Sequence, residues 1–567
     1  MKRVFTILIL LAASISVFAQ SDWNLVWKMD TMPFNGWQND TTKVVSEMAI
    51  VKAGFDTDQD GWGEFLCAWT DLDSNYTLMY EATGDDTYEL VWYFKHPLPA
   101  NSFAGIAVGD IDNNGVVDIV ITLPSQVNGD SPPRLWVFEW NGVVGENKYG
   151  RYTGEEMVPT NEWDYDLPSG TDFRPYSQTI EDIDHDGKNE LITGVRDGGR
   201  GREVVVSSVQ GQLSGFGSWN IEYNFAQSFG GSNYCTTTGD LDGDGNTEIY
   251  MFIWDLFTMR IFECMGDQQY ETVFETDKLY SSEGIDYGGL DGLRVADVDG
   301  DGVNEMYIAG TEEQNQIFIV TGISDISQMT SDDIQELLTI PATGNPAAGI
   351  GKFRSMYMAD PDKDGNLSMM IAGERNGQIY DVEYKGEGDP ADSASWDVNV
   401  IFDIWELSGY APDDNPTLSP RLFYGYPADD MDNDGKDEYL FVNYSTDHSI
   451  WDDDAYVWIL EIDEATGVSN DAGLLPNSIE LRQNYPNPFN PATNIEFSLN
   501  TVSDVKLVVY DVLGRELETL VNRSLPAGIH TYKFDAADYS TGIYYYSLFV
   551  GNGSSDAVQT RKMLLLK

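Results

Sequence analysis

One acidic turn recurs seven times along this chain, with Asp at positions 1 and 3, Asp or Asn at 5, Gly at 6 and, in most copies, an acid at 9. The first copy holds Asp56, Asp58, Asp60 and Glu64, and the second Asp110, Asp112, Asn114 and Asp118. Asp182, Asp184, Asp186 and Glu190 form the third, and Asp240, Asp242, Asp244 and Glu248 the fourth. The fifth has Asp297, Asp299, Asp301 and Glu305; the sixth has Asp360, Asp362 and Asp364, with Ser368 in the ninth place. Asp430, Asp432, Asp434 and Glu438 complete the set. A repeat at this scale dictates the architecture before any local propensity does.

The spacing has a direct chemical reading. Calcium takes six to eight hard oxygens, and a tight loop with carboxylates at alternate positions turns three side chains inward. A backbone carbonyl at position 7 and the acid at 9 complete such a shell, while Gly at 6 permits the sharp turn. Single Asp-Gly turns are common at protein surfaces, but seven with matching offsets are not. Up to seven calcium ions are therefore expected, more weakly held at the Asp110 and Asp360 loops, where Asn114 and Ser368 lower the ligand charge. The loops are not EF-hands, because position 12 is Cys67 in the first copy and Ile121 in the second.

Each turn runs into a short apolar segment such as Phe65-Leu66-Cys67 or Ile119-Val120-Ile121, too short and too aperiodic for a helix. Further strand-like runs follow, including Leu135 to Phe138, Val204 to Val206, Ile317 to Val320 and Val457 to Leu460. With one short run ahead of each turn, every unit carries four strands, and tandem four-stranded units read as propeller blades. The seventh unit lacks a fourth strand before the chain turns polar at Asp463, while Trp23 to Trp27 resembles a fourth strand without a unit. Pairing the two would close the ring and leave no open sheet edge.

The Asp-rich turns and following strands resemble FG-GAP/VCBS repeats, the integrin-α-type β-propeller family, over roughly Trp23 to Ile462. The resemblance implies calcium in the loops and leaves the ligand open. After a polar linker at 463–473, the segment 474–567 resembles the type A C-terminal sorting domain of the bacterial type IX (Por) secretion system. The features that carry this are Tyr485-Pro486-Asn487-Pro488-Phe489, Tyr510-Asp511-Val512-Leu513-Gly514 and Thr541-Gly542-Ile543-Tyr544. Such domains are read by the export machinery and are often removed at the cell surface. The expected fold is all-β, a seven-bladed β-propeller over 20–462 followed by a small Ig-like β-sandwich.

Charge divides the chain in the same place. Its net charge is −62, yet from Leu474 onward 8 basic residues meet 9 acidic ones. The acidity lies in the repeats and argues against nucleic acid or anionic lipid as partners. Met1-Lys2-Arg3, the apolar run to Phe18 and the small residue Ala19 read as a signal peptide over 1–19, with no membrane span expected after it. Cys67, Cys235 and Cys264 are too few and too scattered for a disulfide framework, so buried free thiols are expected.

No catalytic constellation emerges around His96, His185, His448 or His530. Two insertions hold aromatic and Arg residues, Trp163, Tyr165, Arg174 and Tyr176 in one and Trp405, Tyr410 and Arg421 in the other. They fit a glycan or protein ligand if exposed, and decoration of the ring if packed. The sequence leads to a secreted or cell-surface binding or adhesion module, against the alternative of a polysaccharide lyase, hydrolase or accessory subunit.

Overall fold

A computed structural model describes residues 23–29, 46–71, 75–97, 104–123, 133–154, 156–168, 171–198, 201–215, 217–228, 232–253, 258–276, 292–311, 315–340, 352–374, 377–408, 421–444 and 455–462. Beyond these it describes 480–481, 484, 487, 489, 491–499, 503–510, 512, 515–525, 528–536, 539–551 and 556–567. The proposed signal peptide, the linker, Tyr410 and His448 lie outside the described residues. The chain divides into two compact units, Met1–Thr466 and Gly467–Lys567.

Among the described residues, seven four-stranded antiparallel sheets build the first unit. Sheet 1 contains Ser46–Phe55, Glu64–Asp71, Asn75–Gly84 and Thr87–Lys95. Sheet 2 contains Gly105–Gly109, Asp118–Thr122, Leu135–Glu139 and Asn161–Trp163. Sheet 3 follows with Phe173–Glu181, Glu190–Gly198, Arg202–Gln210 and Ser218–Gln227. In sheet 4 the strands are Asn233–Gly239, Glu248–Ile253, Thr258–Cys264 and Tyr270–Glu275. Leu293–Ala296, Glu305–Thr311, Asn315–Val320 and Gln335–Ile340 make sheet 5. Lys352–Ala359, Ser368–Glu374, Gln378–Tyr384 and Trp396–Asp403 make sheet 6. Sheet 7 draws Leu422–Ala428, Glu438–Asn443 and Val457–Ile462 from the end of the unit and Trp23–Met29 from its start.

The two termini of the unit thus meet in one sheet, where Trp23 faces Ile462 and Met29 faces Val457 across an antiparallel ladder. Val457–Ile462, which sequence order alone would leave at an edge, is paired on both sides. The first strands of the sheets are neighbours in order, and that of sheet 7 touches that of sheet 1. Hydrophobic clusters fill the spaces between successive sheets, as where Leu191 and Val205 of sheet 3 pack with Val120 and Val137 of sheet 2. Middle strands are accordingly buried on both faces, as in Glu248–Ile253, and read as unbroken apolar runs. Fourth strands alternate, as in Thr87–Lys95, because their outer side is wet. Cys67, Cys235 and Cys264 are buried free thiols.

The junction of sheets 7 and 1 is tight. The Gly63 N–H donates to the Met431 carbonyl at 2.8 Å. A Cβ at Gly63 would stand 2.6 Å from Met431 Cβ and 2.8 Å from its Cα. Gly63→Ala should cost about 1–3 kcal/mol through this overlap, read as a lower midpoint in urea unfolding.

The fourth strand of sheet 2 is Asn161–Trp163, delayed by a ribbon of Arg151–Thr153 and Glu156–Val158 that pair with each other. In the second unit, a three-stranded and a four-stranded sheet share one core that includes Phe489, Phe497, Leu507, Tyr546 and Leu565. No helix among the described residues is long and apolar enough to cross a membrane.

Candidate metal centres

Each acidic turn joins the first and second strands of its sheet, so the ninth position is the first residue of the second strand. The seven turns share one hydrogen-bond scheme. The glycine N–H at position 6 donates to the position 1 carboxylate in every loop, at 3.2 Å for Gly61 to Asp56 and 2.9 Å for Gly302 to Asp297. The position 7 N–H donates to the side chain at 5, as Trp62 does to Asp60 at 2.9 Å and Val116 to Asn114 at 2.8 Å. The position 2 N–H donates to the acid at 9, as Thr57 does to Glu64 at 2.8 Å, in all loops but the sixth, where Ser368 replaces the acid.

The glycines at position 6 have φ between 87° and 100°, the left-handed region that side chains resist. Position 4 is left-handed too, occupied by Gln59, Asn113, His185, Lys363 and Asn433 as well as by glycine. That second left-handed position was not legible, because no residue type is fixed there. His185 is one of these exposed turn residues.

The carboxylates converge. One oxygen from each of Asp240, Asp242, Asp244 and Glu248 lies within 4.8 Å of the others, and the same holds for Asp56, Asp58 and Glu64 and for Asp110, Asp112 and Asp118. Several of these oxygens are buried and accept no hydrogen bond, among them Asp58 Oδ2, Glu64 Oε1, Asp112 Oδ1, Asp118 Oδ1, Asp182 Oδ1, Asp240 Oδ1 and Glu248 Oε1. A buried carboxylate oxygen without a partner is costly. Burial foremost, with neighbouring carboxylates adding to it, pushes Glu64, Asp118 and Glu190 up to about 8. Glu248 and Glu305 rise to about 7 and Glu438 to about 9 for the same first reason. An all-oxygen set of this kind fits a hard divalent cation.

Sequence reasoning missed a further acid at five sites. Directly across the ladder from position 9, the third strand places Glu81 opposite Glu64, Glu139 opposite Asp118, Glu263 opposite Glu248 and Glu461 opposite Glu438. Like charges facing each other across a ladder are destabilising unless something neutralises them. In sheet 6 the partner of Ser368 is Glu383, pushed by burial to about 7 with Asp362 and Asp364 nearby. Loop six therefore has an acid on the adjacent strand where its own ninth residue lacks one. The hairpins between these strands differ in length, so no fixed offset announces the residue.

Glu81 tests the arrangement. It is buried, accepts from Asn147 Nδ2 at 2.7 Å and lies with Asp58 and Asp60 in one acidic cluster. Glu81→Gln removes one anion from that cluster, so metal-free protein should gain about 0.5–1 kcal/mol. Calcium affinity at the first loop should fall severalfold, read by calorimetric titration of the variant against the parent.

Neighbouring loops are stitched together. Asn189 Nδ2 of the third loop donates to the Asp110 carbonyl of the second at 2.7 Å, and Asn433 Nδ2 of the seventh to the Gly61 carbonyl of the first at 2.8 Å. Position 3 carboxylates also accept backbone N–H groups from other segments, Asp242 from Ile326 and Asp432 from Asp86, both at 2.7 Å.

Residues 56–121, which contain the first two loops, match the FG-GAP-like repeat, and residues 483–564 match the secretion system C-terminal sorting domain. The chain carries an FG-GAP-like repeat segment and a C-terminal secretion sorting domain. That domain marks the repeat protein for type IX export, to the cell surface or beyond it. No curated protein matches it. Among solved structures it is similar to PorZ, a bacterial surface component of the type IX secretion system of Porphyromonas gingivalis, with 14% identity and a TM-score of 0.35 over 91% of this chain. The repeat protein spans 59% of the length of that structure. A periplasmic gluconolactonase of Pseudomonas aeruginosa, PpgL, gives 11% identity and a TM-score of 0.35, covering 65% of this chain and 98% of its own. A humanized mutant of the Chaetomium thermophilum Polycomb Repressive Complex 2 gives 11% identity and 0.37, covering 64% and 72%.

The described aromatic residues singled out in the two insertions are packed inside. Trp163, Tyr165, Tyr176 and Trp405 are all buried. Trp163 stacks on Trp219 at 4.8 Å in the core between sheets 2 and 3, and Tyr165 Oη pairs with Thr193 Oγ1 at 3.1 Å. His96 is buried as well, its Nε2 is 2.9 Å from Thr77 Oγ1, and burial holds its ring down to about 3.

Proposed function

We propose that the seven sheets form one seven-bladed β-propeller whose acidic loops hold calcium, and that it serves as a secreted or cell-surface binding module for glycan or protein ligands. The supporting observation is the shared loop geometry, with buried unpartnered carboxylate oxygens in each of the first four loops and first strands that are neighbours in an unbroken cycle. Asp56, Asp58, Asp60 and Glu64, and their counterparts in the other loops, would hold the ions, with the third-strand acids completing the charge. Calcium would neutralise the facing carboxylates and fix the junction of the first two strands of each blade. In the proposed module the exported C-terminal unit is an Ig-like sandwich read by the secretion machinery, and the propeller is its cargo.

Glycan and matrix-protein arrays probed with calcium-loaded protein test the binding role. Saturable, EDTA-sensitive binding is the expected result. Binding to no glycan or protein would count against it, and release of unsaturated or reducing products from a bound polysaccharide would replace it with a degrading enzyme.

A further inference from the structure

Position 3 of several loops is gripped from the next sheet. At the second and fourth loops, Asp112 and Asp242 accept the N–H groups of Leu213 and Ile326 at 2.6 and 2.7 Å. Both donors are apolar residues between the third and fourth strands of sheets 3 and 5. At the seventh loop the donor is Asp86, in the turn between Asn75–Gly84 and Thr87–Lys95 of sheet 1, and it brings a carboxylate with its N–H. One oxygen from each of Asp85, Asp86 and Asp432 lies within 4.8 Å of the others. Two oxygens on one calcium ion stand no more than about 5 Å apart, so these three, drawn from sheets 7 and 1, are within range of a single cation.

A second observation points to the same place. Tyr88 is only 6% exposed, and its buried hydroxyl has no hydrogen-bond partner among the described residues. Burial first, then the charges of Glu438, Asp432 and Asp86, push that hydroxyl far above its ordinary range, so it faces carboxylates of both sheets without bonding to any. A buried hydroxyl left in this way is costly, and calcium shells regularly include waters that can satisfy one. Lys436 supplies one positive charge here, but it is placed on Asp434 at 3.0 Å and on Glu461. Asp85, Asp86 and Asp432 therefore repel one another across the junction unless a further cation joins them. The Tyr88 ring packs edge-on to Trp27 of the closing strand at 5.5 Å, which sets the cluster beside the residues that close the unit.

We propose that a divalent cation binds across the junction of sheets 7 and 1, held by Asp432 of the seventh loop and by Asp85 and Asp86 of sheet 1, and ties the last sheet to the first. The Tyr88 hydroxyl meets a water carried by the ion, and the all-oxygen set makes calcium the ion of choice. The inference rests on the calcium reading proposed above and adds to it ligands from a neighbouring sheet, outside the nine positions of the turn itself.

The experiment compares the full-length parent with Asp86→Asn and Tyr88→Phe, by calorimetric titration with calcium and by melting in calcium and in EDTA. Asp86→Asn should weaken binding at one site by at least about tenfold, since carboxylate count sets calcium affinity. Tyr88→Phe should weaken it by less. In EDTA both variants should melt at or above the parent temperature, because one removes an anion from a like-charged group and the other a buried hydroxyl without a partner. In calcium both should melt below it. A purely structural role for these residues would instead lower the melt equally with and without the metal. Asp85 is exposed, so Asp85→Asn keeps the test open if another variant unfolds, and it should follow Asp86→Asn. Parental calcium affinity in the folded variants, or a melt lowered equally in calcium and EDTA, would overturn the proposal. A parent whose melt ignores EDTA overturns the calcium reading and this site together. A parent that EDTA destabilises, beside variants of parental affinity, removes the shared site and leaves calcium in the loops.

Discussion

Chelating calcium with EDTA should lower the melting temperature of the full-length protein by at least about 10 °C, since each ion held only by the folded state contributes about 2.7 kcal/mol at a hundredfold excess over Kd. Differential scanning calorimetry, with and without chelator, measures this directly. The same loops set a pH dependence whose sign reverses with the metal. Burial raises Glu64, Asp118 and Glu190 to about 8, Glu438 to about 9, and Glu248 and Glu305 to about 7. Their folded values exceed the ordinary carboxyl value near 4.5, so the metal-free fold keeps protons that the unfolded chain releases. Their stabilising effect is complete below about 4.5 and disappears as pH rises through 7 to 9. Chelated protein should therefore melt lower at pH 8.5 than at pH 6. Calcium-loaded protein should melt higher at pH 8.5, because the ion competes with those protons. An identical melt in EDTA and calcium would remove the metal from these loops.

Loss of the closing strand should be nearly as damaging. Trp27 reaches from Trp23–Met29 into sheet 1, edge-on to Phe65, Tyr80 and Tyr88 at 5.5–5.9 Å between ring centres. Trp23 packs edge-on against Tyr439 at 6.5 Å, and the Met29 carbonyl accepts from the Tyr456 N–H at 2.8 Å. Trp27→Ala should cost about 3 kcal/mol, by the usual penalty for emptying an aromatic seat, read from urea unfolding monitored at the remaining tryptophans. Removing residues through Met29 exposes the whole edge of Val457–Ile462, an apolar strand that would pair with other molecules. Light scattering should then show aggregation at temperatures where the parent stays monodisperse. A truncated protein that remained soluble with the parental melt would show that this strand closes nothing.

Much of this was legible because the repeat is local. Each turn, its glycine and the strand after it are consecutive residues, so periodicity alone located the loops from Asp56 to Glu438. The lone strand at Trp23 was legible as a surplus, since the seventh unit came up one strand short. What was hidden depends on pairing at a distance. Glu81, Glu139, Glu263, Glu383 and Glu461 meet their loops only through ladder register, across hairpins of unequal length. The grouping of Lys52, Arg294 and Tyr357 around one pocket was invisible for the same reason, because they stand on sheets 1, 5 and 6 and meet only in the folded chain. Trp163, Tyr165 and Trp405 misled because an aromatic residue in a long insertion looks the same whether it faces water or, as here, the neighbouring sheet.

The meeting of both ends in sheet 7 also limits how such a molecule can change size. An open stack of repeats can be lengthened or trimmed at its tip, where only one interface is lost. Here the first and last segments share a ladder, so in the proposed ring deleting any sheet would leave a gap that the remaining six would have to bridge by altering every wedge angle at once. In the proposed propeller, extra length would accordingly be taken up in excursions between strands, such as the ribbon inside sheet 2, with the number of blades unchanged.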